Sequence, residues 1–147
     1  MFKHILIPTD GSKVARKAVK AGIALAREIG AKVTAYHALE MVPPYAFAEG
    51  YVADATAITL LQEAARKQGE KDLAEVKKAA AAAGVRCDTV LDKPEVTHQG
   101  IINAARKRKC DAIFIASHGR GGVKALLLGS VTQRVLAHSR IPVVVYR

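Results

Sequence analysis

Aromatic residues are scarce in this sequence, which has four Tyr, three Phe and no Trp. Proteins that read single-stranded RNA stack its bases on aromatic side chains, and no such pattern surrounds the few aromatics present here. Cysteine is scarcer still, since Cys87 and Cys110 give neither a metal-ligand spacing nor a disulfide framework. We therefore expect two small, buried thiols in a reducing compartment.

Long hydrophobic runs are absent. The apolar run within MFKHILIPTDG covers only a few residues, too short for the core of a signal peptide or for a membrane span. Half of the 147 residues are apolar and no segment has low complexity. The chain is therefore long enough to bury a core without disulfide bonds or a structural metal. These features predict one globular domain over residues 1–147, located in the cytoplasm.

Acidic residues are in the minority, with 13 Asp and Glu against 23 Lys and Arg and a net charge of +10. The basic residues are spread along the whole chain. Their densest run, RKRKC at 106–110, ends a predicted helix, where cations complement the helix dipole. We interpret the positive charge as a solvated basic surface and expect neither a nucleic acid nor a membrane as partner. The surplus of positive charge still favours an acidic ligand.

The hydrophobic pattern alternates between strands and helices along the whole chain. Strands are predicted at His4–Asp10, Lys32–Glu40, Val85–Asp92, Asp111–Ser117 and Ile141–Arg147. Helices are predicted at Lys13–Ile29, about Thr56–Ala83, Glu95–Lys109 and Ser130–Ser139. This alternation predicts an α/β protein with a parallel sheet and helices on both faces, the third strand lying near a sheet edge.

In such sheets ligands bind at the carboxyl ends of the strands, where the strand order reverses. Three segments lie at the carboxyl ends of predicted strands: Pro8-Thr9-Asp10, His37-Ala38-Leu39 and the loop after Ser117. They come from separate parts of the chain. We expect them to converge on one site.

The loop between Ser117 and the last helix has the composition of a phosphate-binding loop. Gly119, Gly121 and Gly122 allow close backbone approach, and Gly129-Ser130 opens a helix whose N-terminal amides favour an anion. Arg120 and Lys124 add positive charge. No Walker A loop and no G-x-G-x-x-G after the first strand are present, and a second interpretation remains open, in which Ser130 only caps the helix and the glycines only form turns.

The segment ASHGRGGVKALLLGSVTQRVLAHSRIPVVVYR resembles the C-terminal signature of the universal stress protein family. The ATP-binding branch of that family carries G-x-x-G, nine residues, and then G-S or G-T. Here Gly119 precedes residues 120–128 and Gly129-Ser130, while Ala116 stands where the branch has its first Gly. The opening HILIPTDGS also resembles the family's first strand and its Asp. The resemblance covers nearly the whole chain.

This resemblance implies a three-layer, open, five-stranded parallel sheet of the adenine nucleotide alpha hydrolase-like kind, with strand order 3-2-1-4-5. It implies that Asp10 faces the ribose or the metal–phosphate region and that the Ala38 backbone meets the adenine edge. The phosphates of ATP, ADP or AMP would be held with Mg²⁺ or Mn²⁺. The full set of implied binding residues is Pro8, Thr9, Asp10, Ala38, Ala116, His118, Gly119, Arg120, Gly129, Ser130 and Val131.

Three functions remain open at this stage: a regulatory protein that binds ATP, a slow ATP hydrolase, and a nucleotide-free interaction module of the same family. Efficient hydrolysis is disfavoured because Asp10, the only obvious acid in the expected cleft, is already assigned to binding. We name no catalytic residue and leave any protein ligands of the metal open. Since similar proteins pair their last strand with its copy, we expect a homodimer through Ile141–Arg147.

The remaining candidates have plainer interpretations. His37 is expected to be a packed core or rim residue, and Asp92 a turn residue. His118 is expected either to touch phosphate or to cap the turn, whereas His4, His98 and His138 show no metal-ligand spacing. Two roles are open for a group of aromatics, a lid over the nucleotide or an oligomer contact: Tyr45, Phe47 and Tyr51.

Overall fold

The fold was analysed on a computed structural model that describes residues 1–40, 55–120 and 127–147. Five strands alternate with four helices in the described residues. The strands are β1 (His4–Pro8), β2 (Lys32–Ala38), β3 (Cys87–Asp92), β4 (Ala112–Ala116) and β5 (Val143–Tyr146). The helices are α1 (Lys13–Ile29), α2 (Ala55–Ala82), α3 (Thr97–Lys107) and α4 (Ser130–His138).

The five strands form one parallel sheet in the order β3-β2-β1-β4-β5. This confirms the predicted fold class and strand order, including the edge position of β3. The order reverses at the neighbouring strands β1 and β4, so the crevice expected to hold a ligand opens where these two strands end. The last β4 residue, Ala116, pairs with Tyr146 of β5.

Side chains alternate between two apolar clusters, one on each face of the sheet, because successive strand residues point to opposite sides. Ile5, Ile7 and Phe114 pack with α1 and α2 on one face. Leu6 and Ile113 pack with α3 and α4 on the other. β1 and β4 are buried along their whole length, as expected for central strands covered on both faces.

Helix boundaries follow local capping chemistry. Ser12 is the N-cap of α1, and its hydroxyl accepts from the Ala15 amide at 3.2 Å. Gly30 ends α1 in the left-handed region at φ +68°. The strands are shorter than predicted: β1 ends at Pro8 rather than Asp10, although the Thr9 amide still donates to the Tyr36 carbonyl at 2.8 Å.

Both cysteines are free and buried, as predicted. Burial raises the pKa of the Cys110 thiol to about 11, so this thiol stays protonated at neutral pH. Within the described ranges, no helix combines the length and apolar character that a membrane span requires.

Candidate functional site

A cavity of about 390 Å³ opens at the carboxyl ends of the strands. All of the residues predicted for the site line it. The three separate segments therefore converge, because parallel strands bring their carboxyl ends to one edge of the sheet. The predicted aromatics Tyr45, Phe47 and Tyr51, and the loop residues Gly121, Gly122 and Lys124, lie outside the described residues.

The cavity has further lining residues that the sequence analysis did not select: Ala15, Tyr36, Glu40, Thr97, Ile101, Ile115 and Thr132. Most of them come from helices or from inside strands, where a hydrophobic pattern indicates core. Glu40 had a detectable signal, since it is a carboxylate two residues after the end of β2 and next to the predicted Ala38 segment.

Asp10 fastens the end of β1 to the loop after β4. Its Oδ1 accepts from the Ser12 amide at 2.9 Å, and its Oδ2 accepts from the Arg120 amide at 2.7 Å. A Cβ at Gly119 would lie 2.7 Å from Asp10 Oδ2, closer than carbon and oxygen tolerate. Glycine at 119 thus allows the loop to reach the carboxylate, and both oxygens of Asp10 already hold backbone amides.

The amino end of α4 presents backbone donors to the cavity. Gly129 is the N-cap and makes no side-chain cap bond, so Ser130 is the first helical residue and not the cap. The Gly129 amide donates to the Ser117 carbonyl at 2.7 Å. The amides of Ser130 and Val131 belong to the first turn, which has no intrahelical acceptor for them. A helix start of this kind is a ready anion site.

Ala116 lies beside this helix start, but it is anchored in the core. It is only 5% exposed and belongs to the apolar cluster beneath α1 and α2. Its carbonyl accepts from Thr132 Oγ1 at 2.8 Å, which ties α4 to the end of β4. The Ala116 methyl is thus part of the core packing at the base of the cavity.

One side of the cavity rests on a buried hydroxyl–carboxylate pair. Tyr36 is 1% exposed, and its Oη donates to Asp92 Oδ2 at 2.9 Å. Burial raises the pKa of the Tyr36 phenol, and the hydrogen bond to Asp92 raises it further. Asp92 also accepts from the Lys93 amide at 2.9 Å. The prediction of a turn residue at Asp92 is wrong: Asp92 is the last residue of β3, where it pairs with Ala38 in the sheet, and its carboxylate holds Tyr36 in place.

His37 is buried outside the cavity, as predicted for a packed residue. Its Nδ1 lies 3.7 Å from Oδ2 of Asp72, a buried carboxylate of α2. Neither of these atoms has a hydrogen-bond partner among the described residues. Asp72 Oδ1 accepts from Gln68 Nε2 at 2.9 Å. Burial lowers the pKa of His37, and Asp72 opposes that shift only in part.

We expect the free energy of unfolding to fall as the pH is lowered below about 6.5. Unfolded His37 binds a proton near its ordinary pKa of 6.5, whereas the folded protein takes it only at lower pH. The contribution of neutral, buried His37 to the free energy of unfolding is complete above pH 6.5. It is lost as the pH falls toward the lower pKa that His37 has in the folded protein. Urea denaturation between pH 7.5 and 5.0 measures it.

The matched variants for this pH dependence are His37→Gln and, as control, His138→Gln at an exposed position of α4. His37→Gln is expected to flatten the loss of stability between pH 6.5 and 5.0. Some loss remains, because burial also lowers the pKa values of His4 and of His98. If both variants keep the slope of the parent protein, His37 does not carry the effect.

His118 contacts Ser117, with its Nδ1 3.0 Å from the serine Oγ, and it lines the cavity. No group of three or more metal-ligating side chains lies close enough for a metal site in the part of the chain that the structure describes.

A second hollow of about 540 Å³ lies between α1 and α2, away from the carboxyl ends of the strands, and its lining includes Lys20, Arg27 and Glu28.

Sequence comparison relates the whole chain to known proteins. A model of the universal stress protein family matches residues 1–147. Universal stress protein MJ0531 of Methanocaldococcus jannaschii is 34% identical over 148 residues, an alignment that covers all of this chain and 83% of that protein.

Solved structures agree with this relation. The structure of protein MJ0577 superposes with a TM-score of 0.81 and 26% identity, covering 99% of this chain and 95% of that chain. A universal stress protein in complex with cAMP has a TM-score of 0.72, 21% identity and coverages of 99% and 97%. One from Archaeoglobus fulgidus in complex with dAMP has a TM-score of 0.65, 17% identity and coverages of 100% and 98%. At these identities the two complexes support the fold alone.

Proposed function

Because the chain belongs to the universal stress protein family, we propose that it is a nucleotide-responsive regulatory protein that binds ATP, or AMP or ADP, in the cavity at the strand ends. One observation carries the proposal: separate segments of the chain place backbone donors, apolar side chains and carboxylates around a single hollow of about 390 Å³. That volume lies within the usual range for small-ligand sites.

The phosphates bind at the amino end of α4. The amides of Ser130 and Val131, the Ser130 hydroxyl and the backbone at Gly119 are the donors for phosphate oxygens. Arg120 lies beside them on the cavity wall and adds positive charge. Glycine at 129 lets the start of α4 pack closely against the end of β4, because a Cβ there would lie 3.3 Å from the Ser117 carbonyl oxygen.

The adenine binds at the apolar end of the cavity. Ile101, Ile115 and Val131 line that part, and the backbone of Ala38, at the end of β2, presents polar groups to the base edge. Pro8 and Thr9 shape the adenosine pocket from the end of β1. Universal stress proteins of the same fold that bind cAMP or dAMP support an adenine nucleotide as the ligand class.

A divalent cation accompanies the triphosphate. Asp10 and Glu40 both line the cavity, so a triphosphate would bring its negative charge close to two carboxylates. Mg²⁺ or Mn²⁺ bound with the triphosphate would offset that repulsion. We therefore expect tighter binding of ATP with Mg²⁺ than without it.

The site is built for binding rather than turnover. Hydrolysis needs a group that positions or activates the attacking water. Both oxygens of Asp10 already accept backbone amides, so this carboxylate holds the loop in place. Glu40 is the other carboxylate that lines the cavity, and in this proposal it adds to the repulsion that the divalent cation offsets and does not activate water. In this proposal the nucleotide stabilises one conformation or assembly of a cytoplasmic, single-domain protein, and phosphate release is slow at most.

Isothermal titration calorimetry with ATP and excess Mg²⁺ tests the proposal. The expected result is one nucleotide per chain, with weaker binding when Mg²⁺ is replaced by EDTA. A parallel phosphate-release assay is expected to find less than one turnover per hour. Absence of heat at millimolar ATP would refute nucleotide binding, and rapid turnover abolished by Asp10→Ala would favour the hydrolase.

Ala116→Gly tests whether the departure from the family motif matters. We expect nucleotide affinity to change less than threefold, because the Ala116 methyl is already packed in the core. The free energy of unfolding should fall by roughly 1 kcal/mol from the lost methyl and the added chain flexibility. Calorimetry and urea denaturation measure the two effects. A parent protein without affinity and a variant that binds ATP would support the nucleotide-free interaction module.

We also propose a homodimer through Ile141–Arg147. β5 is an edge strand, and all of its residues, Val143–Tyr146, are only partly buried. An apolar edge of this kind pairs readily with a second strand. Sedimentation velocity is expected to give a dimer at micromolar concentration. Val144→Lys should shift it to monomer.

A further inference from the structure

The fold gathers basic residues that the sequence spreads over more than one hundred positions. The amino ends of all five strands lie along one edge of a parallel sheet, and the carboxyl end of α3 joins them there. The exposed cations in these lead-in segments, which we call the basic edge, are Lys3, Lys32, Arg86, Arg106, Lys107, Arg108, Lys109 and Arg140.

Backbone hydrogen bonds fix the register of this edge. The Lys32 amide donates to the Lys3 carbonyl at 3.0 Å, and the Val33 amide donates to the Arg86 carbonyl at 2.8 Å. Arg86, Lys32 and Lys3 therefore start three neighbouring strands, β3, β2 and β1. On the far side of β1, the Asp111 amide donates to the His4 carbonyl at 2.9 Å, which places Lys109 directly before the start of β4. The cations thus form one row rather than isolated charges.

The two ends of the sheet differ in charge. The lead-in segments of the basic edge, with the helix ends beside them, contain three carboxylates, Glu28, Asp88 and Asp111, and Asp111 already accepts from the Lys3 and His4 amides. At the opposite end, the described segments that follow the strands, with the helix starts beside them, carry four carboxylates against four cations: Asp10, Glu40, Asp92 and Glu95 against Lys13, Lys93, Arg120 and Arg147. The basic edge is therefore distinct from the nucleotide cavity.

Helix dipoles explain only part of this charge. The carboxyl end of a helix is equivalent to about half a negative charge, and its influence fades within one turn. Strand starts have no comparable dipole, yet Lys3, Lys32 and Arg86 stand at strand starts. None of these three side chains makes an ion pair within 4.0 Å among the described residues.

Lys109 is an unusual residue for its place. Gly30 follows α1 at φ +68° and Gly84 follows α2 at φ +73°, whereas the equivalent stop after α3 is Lys109 at φ +55°. Among the described residues it is the only one other than glycine with a positive φ. The left-handed region costs a residue with a Cβ roughly 1 kcal/mol or more. Glycine would be more stable than lysine at this position.

The composition of this edge favours a partner that offers charge and little apolar contact. Of the large apolar side chains that the structure describes as exposed, only Met1, Ile29 and Leu136 belong to this half of the molecule. The aromatics nearby are not available for stacking: Phe2 is partly buried and Phe114 is buried. Protein hot spots, membrane insertion and single-strand stacking all need such side chains, whereas duplex phosphates need only cations.

We propose that the basic edge binds the phosphate backbone of a nucleic acid duplex without reading its sequence. Five strands at about 4.8 Å spacing give a row roughly 19 Å long, enough to reach phosphates on both sides of a major groove about 12 Å wide. This revises the expectation drawn from the sequence, in which the basic residues looked evenly dispersed. The nucleotide cavity at the other end stays free.

Fluorescence anisotropy with a labelled 30-base-pair DNA duplex of mixed sequence tests the proposal. The parent protein is expected to bind at 50 mM NaCl with a log–log salt slope of about −4 or steeper. The variant Lys3→Gln, Lys32→Gln, Arg86→Gln should bind at least tenfold more weakly, with a slope flatter by about 2 to 3. Saturating ATP and Mg²⁺ should leave duplex binding unchanged.

A matched control changes the same amount of charge elsewhere: Lys13→Gln, Lys17→Gln, Lys20→Gln, all exposed on α1. This control variant should keep its duplex affinity within threefold of the parent value.

Lys109→Gly is a variant that should remove one charge of the basic edge without loss of stability. Its melting temperature should stay equal or rise, while its duplex affinity should fall at least twofold.

Four results would overturn the proposal. The first is no duplex binding at 50 mM NaCl. The second is an equal loss in the α1 control, which would indicate net charge alone. The third is displacement of the duplex by ATP, which would place the phosphates in the cavity. The fourth is stronger edge-dependent binding to phosphatidylserine vesicles or polyglutamate than to the duplex.

Discussion

Ser130→Asp is expected to weaken ATP binding at least 100-fold while leaving the protein folded. The substitution puts a carboxylate at the first residue of α4, where the proposed phosphate site lies. A negative charge at a helix start is favourable by roughly 0.3–1 kcal/mol, so the helix itself is not weakened. The same charge repels the phosphates and competes for their amide donors. Calorimetry measures the affinity, and thermal denaturation measures the stability.

Ala137→Glu is the matched control for this variant. It adds the same charge to the same helix at an exposed position that does not line the cavity. Its ATP affinity should stay within about threefold of the parent value. Equal losses in the two variants would indicate a general charge effect, and unchanged affinity in Ser130→Asp would place the phosphates somewhere else.

Gly100→Ala is expected to lower the free energy of unfolding by roughly 2–4 kcal/mol. A Cβ at this α3 position would lie 2.7 Å from Pro94 Cβ and would overlap Tyr36 Oη. Overpacking costs roughly 1–3 kcal/mol. Moving Tyr36 also breaks its bond to Asp92, and a buried hydroxyl without a partner costs about 1–3 kcal/mol more. Partial relaxation keeps the two costs from adding fully.

Two controls separate these causes in urea denaturation. Asn103→Ala, at an exposed position of the same helix, should change stability by less than about 0.5 kcal/mol. Tyr36→Phe removes the hydroxyl without crowding and should cost about 1 kcal/mol. If Gly100→Ala lowers the free energy of unfolding by less than Tyr36→Phe does, Tyr36 accommodates the added Cβ without losing its hydrogen bond to Asp92.

Local patterns predicted the elements and the edge of the sheet at which the cavity lies, whereas the strand order came from the family resemblance. The apolar runs at β1 and β4, the glycine stops after α1 and α2, and the alternation of strands with helices define a parallel sheet. In such a sheet Asp10, Ala38 and Gly119 must meet at one edge. Topology alone brings these residues together, so the sequence was informative without any knowledge of side-chain contacts.

The contacts themselves were beyond the sequence. Nothing local pairs Tyr36 with Asp92 or His37 with Asp72, because each pair joins different elements and depends on strand register and helix packing. Asp10 likewise has a contact that no local pattern predicts: its carboxylate accepts from the Arg120 amide, a bond between residues 110 positions apart. The basic edge could not be predicted for the same reason, because its residues come together only when the strands form the sheet.

The most direct test of nucleotide binding at the strand ends is an amide ¹H–¹⁵N spectrum titrated with ATP and Mg²⁺. We predict the largest shifts at the amides of Gly119, Ser130 and Val131, smaller ones at Ala38, and none at Lys3 or Lys32. Saturating ATP that leaves Ser130 and Val131 unmoved, or that shifts residues only between α1 and α2, would contradict the account.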